Sequence, residues 1–168
     1  MWNYLLIAIF LMSEFAGKNG KAQSDVLQKP EVRSVQIKNT PVQLEIADTE
    51  EKITQGLSDR DYLAPNEGML FVFPDTTQRS FWMYHCLFDI DIAYVNPEGV
   101  IRDIQTMSVE PSIAPPQQMR LYRSSTSDIK YAVEMNRNWF SGHRISVGDT
   151  ASVSSFHSHV KNGSLWIK

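Results

Sequence analysis

Three apolar runs of strand length stand close together in the middle of this chain: Gly68-Met69-Leu70-Phe71-Val72-Phe73, Phe81-Trp82-Met83 and Ile90-Asp91-Ile92-Ala93-Tyr94-Val95. They constrain the fold more than any other stretch. Short runs rich in aromatic and β-branched residues, bounded by turn residues, read as buried strands. One carboxylate, Asp91, is set between two isoleucines. Burying an unpaired charge is costly, so this acid needs a partner or a task.

The 168 residues are 42% hydrophobic and 21% charged, the balance of a soluble globular domain. A chain of this length suits one domain and can bury about 70% of its unfolded surface. The net charge of −3 gives no basic excess for nucleic acid or for an anionic membrane surface.

Residues 1–22 read as a signal peptide. The apolar run Tyr4 to Met12 is too short to span a bilayer, which takes about 20 residues. Gly20-Lys21-Ala22 supplies the small-x-small pattern of a cleavage site. No Lys or Arg precedes the run, so the amino terminus alone is the positive end. An uncleaved anchor or a buried strand is the alternative. The expectation is an exported domain, periplasmic or extracellular, with no membrane span once the signal is removed. Cys86 is the only cysteine, so no internal disulfide can form and the core alone must hold the fold.

Residues 23–32 are polar, contain Pro30, and read as a mobile leader. Ser34–Ile37 and Val42–Ile46 alternate at period two, as strands do. Asp48, with Glu51 three residues on, suggests a capping box. It predicts one short helix over about 49–57, with Ile53 and Leu57 facing inward and Gly56 near its end. Further strands are expected at 69–73, 79–84, 90–95, 100–107 and 131–135. Asn96-Pro97-Glu98-Gly99 has type I turn chemistry and predicts a hairpin. Residues 136–141 suggest one helical turn, and 145–153 a final hairpin. Pro111 to Asp128 has no period, and a loop that long in a small domain is often functional. Residues 156–168 read as a C-terminal tail. The whole is α+β, mostly β: one domain over 33–155, a curled antiparallel sheet or small barrel with one short helix.

Seven ordered motifs make the chain resemble the bacterial and archaeal family called domain of unknown function 192. They are Val42 to Ala47, Gly56-Leu57-Ser58-Asp59-Arg60, Gly68 to Phe73, Phe81-Trp82-Met83, Ile90-Asp91-Ile92, Val133-Glu134-Met135 and Gly148-Asp149. The resemblance covers about residues 33–155. It implies a small β-rich domain, often exported, and no particular reaction. Two departures stand out. Where the family usually has Lys-Asn-Thr after Trp-Met, this chain has Tyr84-His85-Cys86; where it usually has Met after Gly-Leu, this chain has Ser58.

Asp91 and Glu134 are the first site candidates. Neighbours in a strand alternate faces. If the two strands lie side by side, the carboxylates could share a concave surface and act as acid and base. The alternative is structural: each acid pairs with Arg60 or accepts backbone N–H groups. Arg60 follows the helix, and its planar fork suits a carboxylate or a phosphate. Trp82 beside a carboxylate is a common pairing in ligand sites. His85-Cys86 invites a thiol-nucleophile reading, but strand neighbours point apart. His157-Ser158-His159 has the spacing of two metal ligands without a third.

These residues suggest a non-enzymatic module that binds a small molecule or an envelope polymer in a cleft near Arg60, Trp82, Asp91 and Glu134. The alternatives are a hydrolase using the two carboxylates on a glycan or cell-wall fragment, and a purely structural or partner-binding protein. No cofactor and no metal is expected.

Overall fold

β1 (Val32–Ile37) and β2 (Thr40–Ala47) form the first hairpin, with Lys38 at φ 55 in its turn. The structure is a computed structural model; it describes residues 30–111 and 118–158. The expected signal peptide, nearly all of the leader and the tail beyond 158 lie outside the described residues. Next come α1 (Glu50–Gln55), β3 (Glu67–Thr77), β4 (Ser80–Phe81), β5 (Ile90–Val95), β6 (Ile101–Met107), β7 (Tyr122–Arg123), β8 (Ile129–Asn136) and α2 (Trp139–Gly142).

Six of the strands make one sheet in the order β1-β2-β3-β8-β5-β6, and β4 pairs with β7 apart from it. The fold is thus α+β and mostly β, as the sequence suggested, with two short helices among the described residues. The sheet is mixed, because β2 and β3 run parallel. Their connection carries α1, and a parallel pair needs such a crossover. No barrel closes among the described residues, but the sheet curls. Residues 148–152 are the reason. Ala151 pairs with Ile37, next to the β1 edge, and its N–H bonds to the Gly99 carbonyl; Gly148 and Ile101 bond to and from this segment beside β6. One short segment therefore holds both edges. The hairpin expected over 145–153 is this strap.

Each face of the sheet buries its own core. On one face Val42, Leu44, Leu70, Val72, Ala93, Val133 and Met135 pack under Trp139, Phe140 and Ile145. On the other Met69, Phe71, Ile92, Tyr94 and Ala132 pack under Ile53, Leu57, Phe81, Met83 and Tyr122. Covered on both sides, β5 is buried at all six positions, which explains its unbroken apolar run.

Several local expectations shift. Thr49, not Asp48, caps α1, accepting from the Lys52 N–H at 3.4 Å. Asp48 instead pairs with Lys52 at 2.9 Å. The helix ends at Gln55, because Gly56 turns the chain at φ 50. The strand expected over 79–84 keeps only Ser80–Phe81, and Tyr84-His85 form a turn. The 96–99 turn forms as its sequence predicts: the Gly99 N–H donates to the Asn96 carbonyl at 3.0 Å, with Gly99 at φ 83. Within 111–128, residues 112–117 lie outside the described residues. The remainder carries β7 and buries Met119 and Tyr122.

Candidate functional site

Register separates the two carboxylates. Asp91 stands opposite Met135, and Ile92 opposite Glu134. Asp91 therefore faces the core under α2, while Glu134 faces the core under α1. Strand parity had allowed a shared surface, but a one-residue difference in register reverses every face. The acid–base pair is not assembled.

Asp91 has a structural occupation. It is 4% exposed, and the Thr106 hydroxyl, its cross-strand neighbour, donates to it at 2.7 Å. The backbone N–H groups of Asn138 and Trp139 donate to it as well. Asn138 makes no side-chain cap of its own on α2, so Asp91 supplies that cap from the sheet. Burial pushes the Asp91 carboxyl above its usual range, against the pull of those donors and of the Arg137 charge. The acid among isoleucines is thus tied to the start of α2.

Glu134 is 1% exposed, deep beneath the α1 layer. Its charge, second to burial itself, pushes the nearby Tyr94 phenol upward. That phenol donates to the Tyr122 carbonyl at 2.6 Å and so ties β5 to β7. Arg60 clamps neither acid. It pairs with Glu45 at 2.6 Å. Glu45, Met69 and Glu134 lie in one row across β2, β3 and β8. Both partners are partly exposed, so the pair contributes about 0–1 kcal/mol.

Trp82 lines a cleft. The cleft has a volume of about 560 Å³ and lies between α1 and the 82–85 loop. Trp82, Tyr84 and His85 form one wall, and Glu50, Glu51 and Asp59 contribute carboxylates. The Trp82 and Tyr84 rings are 5.9 Å apart at 44°, and His85 stacks on Tyr84 at 4.1 Å. Three contacts tie the walls together at one end. The Ser58 hydroxyl donates to the Tyr84 carbonyl at 2.9 Å, the Asp59 N–H to the His85 carbonyl at 2.8 Å, and His85 Nδ1 meets Asp59 Oδ1 at 3.0 Å. Asp59 and His85 are both left-handed, at φ 60 and 54. Such conformations in non-glycine residues persist only where their surroundings hold them.

Of the four expected site residues, Trp82 alone lines this cleft. The two departures from the family pattern, Ser58 and Tyr84-His85, touch each other here. Cys86 is buried with its thiol toward the Tyr84 carbonyl at 3.8 Å, while the His85 ring turns to Asp59. Among the described residues no three His, Cys, Asp or Glu side chains gather as a metal set; His159 lies outside them. Nor is any described helix long and apolar enough to cross a membrane.

Comparison with known proteins places the geometry in context. The model of the DUF192 family, described as an uncharacterized ACR, matches residues 33–153. A protein from Sinorhizobium meliloti, provisionally named a transcription regulator, has a similar solved structure. It is 23% identical, with a TM-score of 0.65 over 73% of this chain and 94% of its own. A protein of unknown function from Novosphingobium aromaticivorans is 20% identical, with a TM-score of 0.64 over 75% and 88%. At these identities the likeness is one of fold. No curated protein matches.

Proposed function

The chain belongs to the DUF192 family, and from the geometry of this member we propose a non-enzymatic module that binds a small molecule or an envelope polymer. One observation carries the reading: a cleft with two half-buried aromatic rings on one wall and carboxylates around it. Exposed aromatic faces bring large apolar area at low entropic cost, and a few polar groups then orient the ligand. The hydrolase reading loses support, because its two acids face different cores.

A thermal-shift screen of the full chain against sugars, cell-wall fragments, amino acids and amines tests the reading. At least one compound should raise the melting temperature, and Trp82→Ala should abolish that rise, since only ligand bound to the folded state stabilises it. A rise that survives Trp82→Ala, or a panel with no effect on the wild type, would count against it.

We also propose that the domain works outside the cytoplasm. The short apolar run at 4–12 and Gly20-Lys21-Ala22 support this. N-terminal sequencing of protein made in a Gram-negative host should begin at Gln23, in the periplasmic fraction. An intact Met1 on cytosolic protein would refute it.

A further inference from the structure

The cleft between α1 and the 82–85 loop has a marked charge bias. Glu50, Glu51 and Asp59 line it with neither lysine nor arginine, and the one imidazole there, His85, is held on Asp59 at 3.0 Å. The two cations nearest in sequence are engaged elsewhere: Lys52 with Asp48 at 2.9 Å, Arg60 with Glu45 at 2.6 Å. Acids on the exposed side of a helix are, by themselves, a solvated face. The difference here is the ring pair across from them. Trp82 and Tyr84 are half-buried, tilted to each other, and open to the same space. Aromatic faces carry negative potential and attract cations, most strongly when the cation is desolvated. Rings and carboxylates therefore select the same sign of ligand.

Resting on the binding role just proposed, we propose that this cleft recognises an organic ammonium group, seated against the Trp82–Tyr84 ring pair and balanced by Glu50, Glu51 and Asp59. A neutral sugar would gain the ring stacking but nothing from three carboxylates. An anion would be repelled by all three. The clasp of Asp59 and His85 keeps the two walls at a fixed separation, so little ordering is left for the ligand to induce.

Calorimetric titration of the full chain with choline and with its uncharged isostere, 3,3-dimethyl-1-butanol, isolates the charge. Choline should bind about tenfold or more tightly than the alcohol. Trp82→Ala should weaken choline by a similar factor. Glu50→Gln with Glu51→Gln should weaken it and flatten its salt dependence, while glutamine at position 51 keeps an oxygen for its own backbone N–H and the Thr49 hydroxyl. N-acetyl-lysine amide in place of choline distinguishes a primary from a quaternary ammonium; tight, Trp82-dependent binding of either supports the proposal. Circular dichroism and melting of each variant monitor its folding.

The failures separate. Equal binding of choline and the alcohol, lost in Trp82→Ala, overturns the ammonium proposal and leaves the aromatic cleft as a binding site. So does a Trp82-dependent sugar with no ammonium binding. Choline binding indifferent to Trp82 and to the acids overturns both readings, as does the absence of any binding.

Discussion

Replacing Gly68 with alanine is expected to destabilise the domain by about 3 kcal/mol, near the top of the range for overpacking a dense core. A Cβ at Gly68 would stand 2.3 Å from the Glu134 carbonyl oxygen, 2.4 Å from Met135 Sδ and 3.0 Å from Leu44 Cδ2. The first of these atoms is backbone. It belongs to β8, which is paired to β3 on one side and β5 on the other, so it cannot withdraw without opening a ladder. Met135 and Leu44 are fully buried and flank Gly68 in one row of the sheet. The same row continues through Met135 to Asp91. Displacing Met135 would therefore press on the carboxylate that holds α2. Urea unfolding measures the effect. Gly142→Ala, where a Cβ meets nothing within 4 Å, is the control and should lose less than half as much. Equal midpoints for Gly68→Ala and wild type would mean that the β3–β8 pairing has slack that close-packed cores lack.

The apolar runs made the core legible, for a physical reason. A strand covered on both faces has no polar positions to spare, so β3 and β5 announce themselves as continuous hydrophobic sequence. The 96–99 turn was legible because its proline and glycine each meet a specific backbone demand. Strand register was not. Asp91 and Glu134 each have the right neighbours for a shared face, and only the pairing of Ile92 with Glu134 sets them apart. That pairing depends on contacts across the sheet, which no local pattern encodes. The same holds for Arg60. Its fork needed a carboxylate, and Glu45 of β2 takes it. The cleft was legible only through Trp82. Tyr84 and His85 reach it because the chain leaves the strand after Phe81 and turns, with His85 held left-handed by Asp59. A period-two reading of 79–84 could not anticipate that turn.

Asp91→Ala should cost about 3 kcal/mol, because it strips an acceptor from three donors at once: the Thr106 hydroxyl and the N–H groups of Asn138 and Trp139. Asp91→Asn should cost less than half of that. Its carbonyl oxygen can still accept from the α2 backbone, and its amide can donate to Thr106, whose hydroxyl accepts as readily as it donates. It also spares the domain a buried charge. The pH dependence gives the sharper signature. Because burial raises the Asp91 pKa, the folded chain keeps a proton that the unfolded chain releases near pH 3.9, the ordinary aspartate value. Stability from this group is then greatest below that pH and falls as pH rises through the window up to the folded pKa. Asp149 and Glu51, whose pKa values are lowered, contribute the opposite slope. Subtracting the Asp91→Asn profile from that of the wild type cancels them and leaves the Asp91 step alone. A difference that rises with pH would mean that the donors outweigh burial, and that Asp91 is held as a charge. Either way the step belongs to the α2 side of the sheet. The Trp82 cleft lies on the other side, beside α1, so ligand binding there should be the same in Asp91→Asn and wild type.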